Sequence, residues 1–211
     1  MPEAPLTPEA FAASTDVSRE TLDRLRCYAD LLVKWNARIN LVGPATLTDL
    51  WRRHILDSAQ LVPLLPETAR IVVDLGSGAG LPGLILAALT RQRGMTVHLI
   101  EADQRKCAFL REAARLTEVP VRIHACRFDA APSIAADVVT ARAVAPLSAL
   151  LGHAERFLTP SGACLFLKGG QSAHEVREAQ AHWPIRVRER PSHSDPTGVI
   201  LQIQRERAVQ P

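Results

Sequence analysis

The stretch Ile71-Val72-Val73-Asp74-Leu75-Gly76-Ser77-Gly78-Ala79-Gly80-Leu81-Pro82-Gly83 decides how the rest of the chain is read. A short apolar run rich in β-branched residues ends in an acid, and a glycine-dense turn leads into the apolar segment 84–89. That is the pattern of a strand, a tight loop and a helix. Glycines in the loop let a ligand approach the backbone without meeting a Cβ, and Pro82 suits the first turn of the helix. The helix start is expected to offer free N–H groups to a polar or negative ligand. A dinucleotide fingerprint would read G-x-G-x-x-G, but its third glycine position is Leu81 here, with glycines at 80 and 83 instead. The dehydrogenase reading is weakened by this and not removed.

Working outward, the length of 211 residues allows one large domain with a full core, and the 47% hydrophobic content fits a globular chain. No uninterrupted apolar stretch is long enough for a membrane helix, and Met1-Pro2-Glu3-Ala4-Pro5 does not look like a signal peptide. The expectation is a cytoplasmic protein with no membrane partner. Cys27, Cys107, Cys126 and Cys164 form no C-x-x-C pair, so they read as small buried hydrophobes rather than a zinc site or disulfide framework, and no metal is expected. Net charge is only +3, yet 22 of the 25 basic residues are arginine, which suits phosphate contacts and base stacking and equally follows from a GC-rich genome.

In chain order, residues 1–16 hold three prolines and few large apolar groups, and read as a loosely tied lead-in with at most a short helix. Leu22, Leu25, Ala29, Leu32 and Ile39 mark an amphipathic helix over 18–40, and a second helix fits 47–61. These make an N-terminal helical cap, residues 1–68. From residue 69 to 211 strands and helices alternate, with further strands at 96–100, 121–125, 137–140 and 163–167, and helices at 104–116 and 146–158. A helix near 173–181 precedes strands near 185–189 and 199–204, whose short link leaves no room for a crossover helix, so they should pair antiparallel. The fold class is therefore α/β, Rossmann-like, with a seven-stranded, mostly parallel sheet and a terminal antiparallel hairpin.

Several side chains stand where such folds bind ligands, beyond the carboxyl ends of the strands. Glu101 ends the second strand, 25 residues after Gly76, where one carboxylate can accept from both ribose hydroxyls; Asp103 could serve the same geometry, and a solvated strand-end acid is the plain alternative. Phe128-Asp129 follows the third strand, where a ring can face adenine and a carboxylate its exocyclic amine. Arg142, after the fourth strand, suits a cofactor carboxylate or a substrate phosphate, or a buried salt bridge. Lys168, at the end of the fifth strand, has the same address. His54 and Asp57, three apart on a helix, are candidates to receive the substrate or to pair with each other.

The loop form Asp74-x-Gly76-x-Gly78-x-Gly80 resembles that of class I S-adenosylmethionine methyltransferases. Lys34-Trp35-Asn36-x-x-Ile39-Asn40-Leu41, Arg53-His54-Ile55-Leu56-Asp57-Ser58, Asp74-x-Gly76-Ser77-Gly78-Ala79-Gly80-x-Pro82-Gly83, Thr140-Ala141-Arg142-Ala143 and Leu167-Lys168-Gly169 together resemble the bacterial RsmG (GidB) family, in order and over nearly the whole chain from Leu22. That family consists of guanine-N7 methyltransferases acting on the 16S ribosomal RNA loop beside the decoding centre. The resemblance implies S-adenosyl-L-methionine as cofactor, S-adenosyl-L-homocysteine as product, and 16S RNA or the small ribosomal subunit as partner. It places Gly76, Leu81, Phe128, Asp129 and Arg142 at the cofactor; with the loop and strand-end positions, the cofactor candidates are Asp74, Gly76, Gly78, Leu81, Glu101, Phe128, Asp129 and Arg142, and the RNA candidates are Arg142, Lys168, His54 and Arg53. Two departures stand out: Leu81 replaces a usual phenylalanine, and Phe128-Asp129 replaces a small or β-branched residue and glutamate.

Guanine N7 has a free lone pair, so the implied reaction needs no general base, and no catalytic residue of that kind is expected; positioning and exclusion of water would lower the barrier. The guanine must be unstacked or in a loop, and an arginine donor can bond only its O6 or a phosphate while N7 receives the methyl. Few clustered cations imply recognition of a folded RNA or particle rather than of any single strand. The chain is expected to act as a monomer. The competing readings are a methyltransferase of a small molecule or protein, a nicotinamide-dependent dehydrogenase, and a non-catalytic RNA-binding assembly factor.

Overall fold

The computed structural model describes residues 4–206. It begins with α1 (Pro8–Thr15), capped by the Thr7 hydroxyl, which accepts from the Ala10 N–H at 3.1 Å. Of the lead-in expected over 1–16, residues 1–3 lie outside the described residues and the short helix is α1, but the rest is tied down rather than loose: Phe11 is fully buried with its ring 5.5 Å from that of Trp51, and the Leu6 N–H donates to Asp49 at 2.8 Å. Next comes α2 (Arg19–Asn36), capped by Ser18 and burying Leu22, Leu25, Tyr28, Ala29 and Leu32. It stops short of Asn40 because Asn36 turns its side chain on the chain ahead. Its Oδ1 accepts from the Leu41 and Val42 N–H groups, both at 2.9 Å, and its Nδ2 donates to the Val42 carbonyl at 3.1 Å. Such side-chain bonds compete with helical ones. The helix expected over 47–61 is three unlike pieces: a 3₁₀ segment Pro44–Asp49, a wider π-type turn Trp51–Leu56, and α3 (Asp57–Ala59).

The alternating part follows as β1 (Ile71–Leu75), α4 (Gly83–Leu89), β2 (Thr96–Glu101), α5 (Gln104–Thr117), β3 (Val121–Ala125), β4 (Ala136–Arg142), α6 (Leu147–Ala154), β5 (Leu158–Lys168), α7 (Ser172–Gln180), β6 (Ile185–Pro191) and β7 (Val199–Arg205). One seven-stranded sheet has the order β3-β2-β1-β4-β5-β7-β6. The first five strands are parallel, and β7 lies antiparallel between β5 and β6. This is the sheet the sequence pattern implied. The helix expected over 146–158 ends earlier because Leu158 already pairs with Ala136, across a register shift that accommodates Pro160-Ser161-Gly162.

Period-two alternation sends Val72, Val97 and Leu99 to one face, where they pack with α2, α4 and α5 through Leu25, Leu84, Phe109 and Leu110. Val73, Leu75, Val139 and Phe166 go to the other, under α6 and α7. The cap helices thus share one core with the sheet. Because β1 has β2 on one side and β4 on the other, successive connections diverge there and leave a crevice past the carboxyl ends. Cys107 and Cys164 are buried as expected, whereas Cys27 is exposed, on the outer side of α2.

Candidate functional site

The crevice is a cleft of about 700 Å³ whose lining comes from the cap, the glycine loop, the ends of β2, β4 and β5, and the link between β6 and β7. At its floor the 76–82 loop is held by its backbone. The Ser77 N–H donates to the Ile100 carbonyl at 3.1 Å, the Gly78 N–H to Glu101 at 2.8 Å, and the Tyr28 hydroxyl, fully buried in the cap, to the Ala79 carbonyl at 2.7 Å. Gly76 has φ +64°, and a Cβ there would lie 2.8 Å from Val144, so only glycine lets the segment after β4 close on this loop. The expected free N–H groups at the helix start are largely spent: those of Gly80, Leu81 and Leu84 donate to Ser77, Ser77 and Gly80 carbonyls within the turn.

Asp74 does not reach the cleft. Its side chain is fully buried beneath the loop, where Oδ1 accepts from the Thr140 hydroxyl at 2.7 Å, and burial pushes its carboxyl up to about 6. Gly83 is the reason the helix sits so close above it, since a Cβ on Gly83 would lie 2.8 Å from Asp74 Oδ2 and 2.5 Å from Leu99. Asp74 therefore shapes the loop rather than touching a ligand.

Glu101 lines the cleft and is 8% exposed. One oxygen takes the Gly78 N–H and the other the Asp103 N–H, both at 2.8 Å. A carboxylate offers about four acceptor positions, so each oxygen keeps one lone pair for a ligand diol. Asp103 caps α5 instead, accepting from the Arg105 N–H at 2.8 Å and the Lys106 N–H at 3.3 Å, bonds that hold its carboxyl below the usual range. Leu81 and Phe128 add apolar wall, the Phe128 ring resting 4.8 Å from that of His153. The Asp129 carboxylate turns outward, exposed, with Arg127 3.6 Å away. Arg156 fixes this turn by donating to the Phe128 and Asp129 carbonyls at 3.2 and 3.0 Å.

Opposite stands Arg142, brought against the cap. Its Nη1 donates to the Arg53 carbonyl at 3.2 Å, to His54 Nδ1 at 3.0 Å and to Asp57 Oδ2 at 3.3 Å. A guanidinium can only donate, so His54 Nδ1 is the acceptor and its proton is on Nε2, which donates to the Thr46 hydroxyl at 2.7 Å; Thr46 in turn donates to the Gly43 carbonyl at 2.6 Å. Burial, with Arg142 and Arg53 nearby, pushes His54 down to about 3, which keeps the ring neutral. The π-type turn is what lets Arg53, His54 and Asp57 converge on one arginine. Among the described residues Nε and Nη2 of Arg142 make no hydrogen bond.

Lys168 lines the cleft, but its ammonium is engaged, donating to the Ala145 carbonyl at 2.9 Å and to Glu175 at 2.6 Å, and its side chain is 8% exposed. Glu175 also accepts from the Leu147 N–H at 2.7 Å. The salt-bridge alternative therefore describes Lys168: it fixes the 143–147 segment. Arg53 is half-exposed and pairs with Asp195 at 2.7 Å. Asp195 belongs to a wall that sequence reasoning passed over as a mere link. Ser192, Ser194 and Asp195 line the cleft, and the link is tied to the cap by Ser194 donating to Asp57, and by Gln60, which donates to Ser192 at 3.0 Å and accepts from the His193 N–H at 2.8 Å. Its Ser-His-Ser-Asp content was the available signal. The arrangement offers a diol acceptor and an apolar wall at one end, and guanidinium donors with hydroxyls at the other. Among the described residues no three His, Cys, Asp or Glu side chains gather to hold a metal ion, and no helix is long and apolar enough to cross a membrane.

A family model described as GidB, rRNA small subunit methyltransferase G, matches residues 21–194. The ribosomal RNA small subunit methyltransferase G of Paramagnetospirillum magneticum is 55% identical over 196 residues, covering 93% of this chain and 94% of that one. Its counterpart in Rhodospirillum centenum is 56% identical over 193 residues, covering 92% and 88%. Among solved structures, the magnesium protoporphyrin IX methyltransferase of Synechocystis PCC 6803 with bound SAM superposes with a TM-score of 0.64 at 14% identity, covering 90% of this chain and 98% of that one, a likeness of fold.

Proposed function

The chain belongs to the GidB family of ribosomal RNA small subunit methyltransferases, and from that premise we propose that it moves a methyl group from S-adenosylmethionine to N7 of a guanine in 16S RNA. The observation that carries the cofactor assignment is Glu101: one oxygen accepts from the Gly78 N–H of the glycine loop and the other from the Asp103 N–H, and each keeps a lone pair for a ribose diol. The volume of about 700 Å³ and the lining residues fit such a ligand. In this reading Gly76, Gly78 and Leu81 cradle the cofactor, Phe128 walls the base, and Arg142 holds the carboxylate with its unbonded nitrogens. Asp74 acts through the loop, and Asp129 contributes backbone rather than its carboxylate.

S-adenosylmethionine supplies a sulfonium methyl that N7 can accept with its own lone pair, so no proton has to leave first. The chain's own residues orient and dry the site. Tyr28 and Glu101 fix the loop, while Lys168 and Glu175 fix the segment after β4 against which an acceptor base would lie. Neutral His54 holds Arg142 without adding charge. Arg53 remains the donor nearest solvent, suited to an RNA phosphate once it exchanges partners with Asp195. We read residues 1–68 as the helical cap that shapes the acceptor side and 69–211 as the methyltransferase domain; the protein would act as a cytoplasmic monomer without metal. Calorimetric titration with S-adenosylmethionine and with nicotinamide dinucleotides tests the cofactor, and labelled-methyl transfer to small ribosomal subunits tests the substrate. Heat only with the dinucleotides, or binding without transfer to the subunit, would contradict the proposal.

A further inference from the structure

The edge strand β6 reads Ile185-Arg186-Val187-Arg188-Glu189-Arg190-Pro191. Alternation puts Ile185 and Val187 into the core under α6 and α7, with Leu201 and Ile203 of β7. Arg186, Arg188 and Arg190 share the opposite face, beside Gln204, Gln202 and Ile200 of β7. Neighbours in this row are two residues apart, roughly 6.6–6.8 Å along the strand. Both β5 and β6 are antiparallel to β7, so β6 runs with β5 and the row ends at the cleft: Arg190 lies in register with Ile200 and Leu167, and Ser192, two residues on, lines the cleft wall.

The side chains of the three make no ion pair or hydrogen bond among the described residues, and Arg190 Nε is buried without an acceptor. The only acid within the strand, Glu189, alternates to the other face. Arg26, Arg53 and Arg142 find carboxylate partners, and what sets this row apart is that three unpaired guanidinium groups share one face of one strand. Three like charges at even spacing repel one another, and an anion with regularly spaced charges would relieve that repulsion. Guarding an exposed strand edge against pairing needs charge but neither this row's single face nor its course toward the cleft.

We infer that Arg186, Arg188 and Arg190 form a track for consecutive backbone phosphates of the RNA substrate, leading one strand along the sheet edge to the acceptor end of the cleft, where Arg53 stands. The inference rests on the ribosomal RNA reading above. Such a track adds grip without reading bases, leaving selection of the guanine to the cleft.

The test is an RNA-binding titration over a salt series, using a 16S fragment carrying the decoding-region loop, with wild type, the triple variant Arg186→Gln/Arg188→Gln/Arg190→Gln, and the triple Arg→Lys variant. The glutamine triple should bind at least tenfold more weakly at low salt. Its slope of log affinity against log salt should be shallower by about 2 to 3, at roughly 0.7 to 1 per phosphate contact. S-adenosylmethionine affinity should be unchanged, and the lysine triple should regain most of the RNA affinity. If the glutamine triple melts early, the double Arg186→Gln/Arg188→Gln, at two exposed positions, carries the comparison. An unchanged slope and affinity in a variant, with wild type binding and methylating the same RNA, overturns the track and leaves the activity standing. Wild type that neither binds nor methylates it overturns the activity, and the track with it.

Discussion

Glu101→Gln changes charge and almost nothing in shape, and it strikes the group on which the cofactor assignment rests. The carboxylate accepts the Gly78 and Asp103 N–H groups, each at 2.8 Å, in a position 8% exposed. An amide can meet only one of them with its oxygen; its NH₂ group faces the other donor, and stranding such a donor costs about 1–3 kcal/mol. On the ligand side, two hydroxyls that bonded a charged acceptor would bond a neutral amide or nothing, a further loss of about 1 kcal/mol each. If half of the loop penalty is felt by the bound state, the sum is about 3 kcal/mol, or roughly a hundredfold in Kd. Glu101→Ala, which removes every acceptor, should exceed that. Calorimetry with S-adenosylmethionine and S-adenosylhomocysteine reads the affinity, and a melting curve on the same samples separates lost binding from lost fold. Affinity within threefold of wild type in both variants would refute the reasoning.

Tyr28→Phe should destabilise the protein by about 1–2 kcal/mol in denaturant melts and weaken cofactor binding several-fold, since the Ala79 carbonyl loses its buried donor; a wild-type melt with wild-type binding would count against the cap bracing the loop. Gly83→Ala places a Cβ 2.5 Å from Leu99 and 2.8 Å from Asp74, an overpacking that costs about 1–3 kcal/mol and, at about 2–4 °C per kcal/mol, lowers Tm by roughly 2–12 °C. An unshifted Tm would show that α4 gives way easily. Stability should also fall as pH drops from 6.5 toward 4. His54 and His98, pushed from 6.5 down to about 3 and about 4 by burial, stay neutral in the folded chain while the unfolded chain takes protons, so their contribution is present above 6.5 and lost in acid. Asp74, pushed up from 3.8 to about 6, acts oppositely over that window. Two groups against one leave about one extra proton on the unfolded chain, about 1.4 kcal/mol per pH unit; denaturant midpoints flat between pH 4 and 6 would contradict it.

The sheet and its central loop were legible because both are local: β-branched runs, an acid and a dense set of glycines lie within 71–83, and the later strands are short runs that are apolar or alternate apolar with polar residues. Helix ends were less so. The amphipathic pattern continues to Ile39, but Asn36 spends its amide on residues 41 and 42, a choice no periodicity records. The site was half legible. Glu101 and Arg142 follow from strand ends, whereas the bonds that give them their roles join Gly78 to Glu101, His54 to Arg142 and Asp57 to Ser194 across 23, 88 and 137 residues. Lys168 had the right address, yet its charge is consumed by Glu175. Asp74 had the right motif position, but the pleat points it under the loop.

Nucleoside analysis of small-subunit RNA bears most directly on the central claim: subunits lacking the modification are incubated with the protein and labelled S-adenosylmethionine, and the RNA is then cleaved by chemistry specific for N7-methylguanine. The account expects one cleavage in the loop beside the decoding centre, with label in 7-methylguanosine and none in a reaction with Glu101→Ala. Label in another nucleoside, or at a guanine elsewhere, would contradict it.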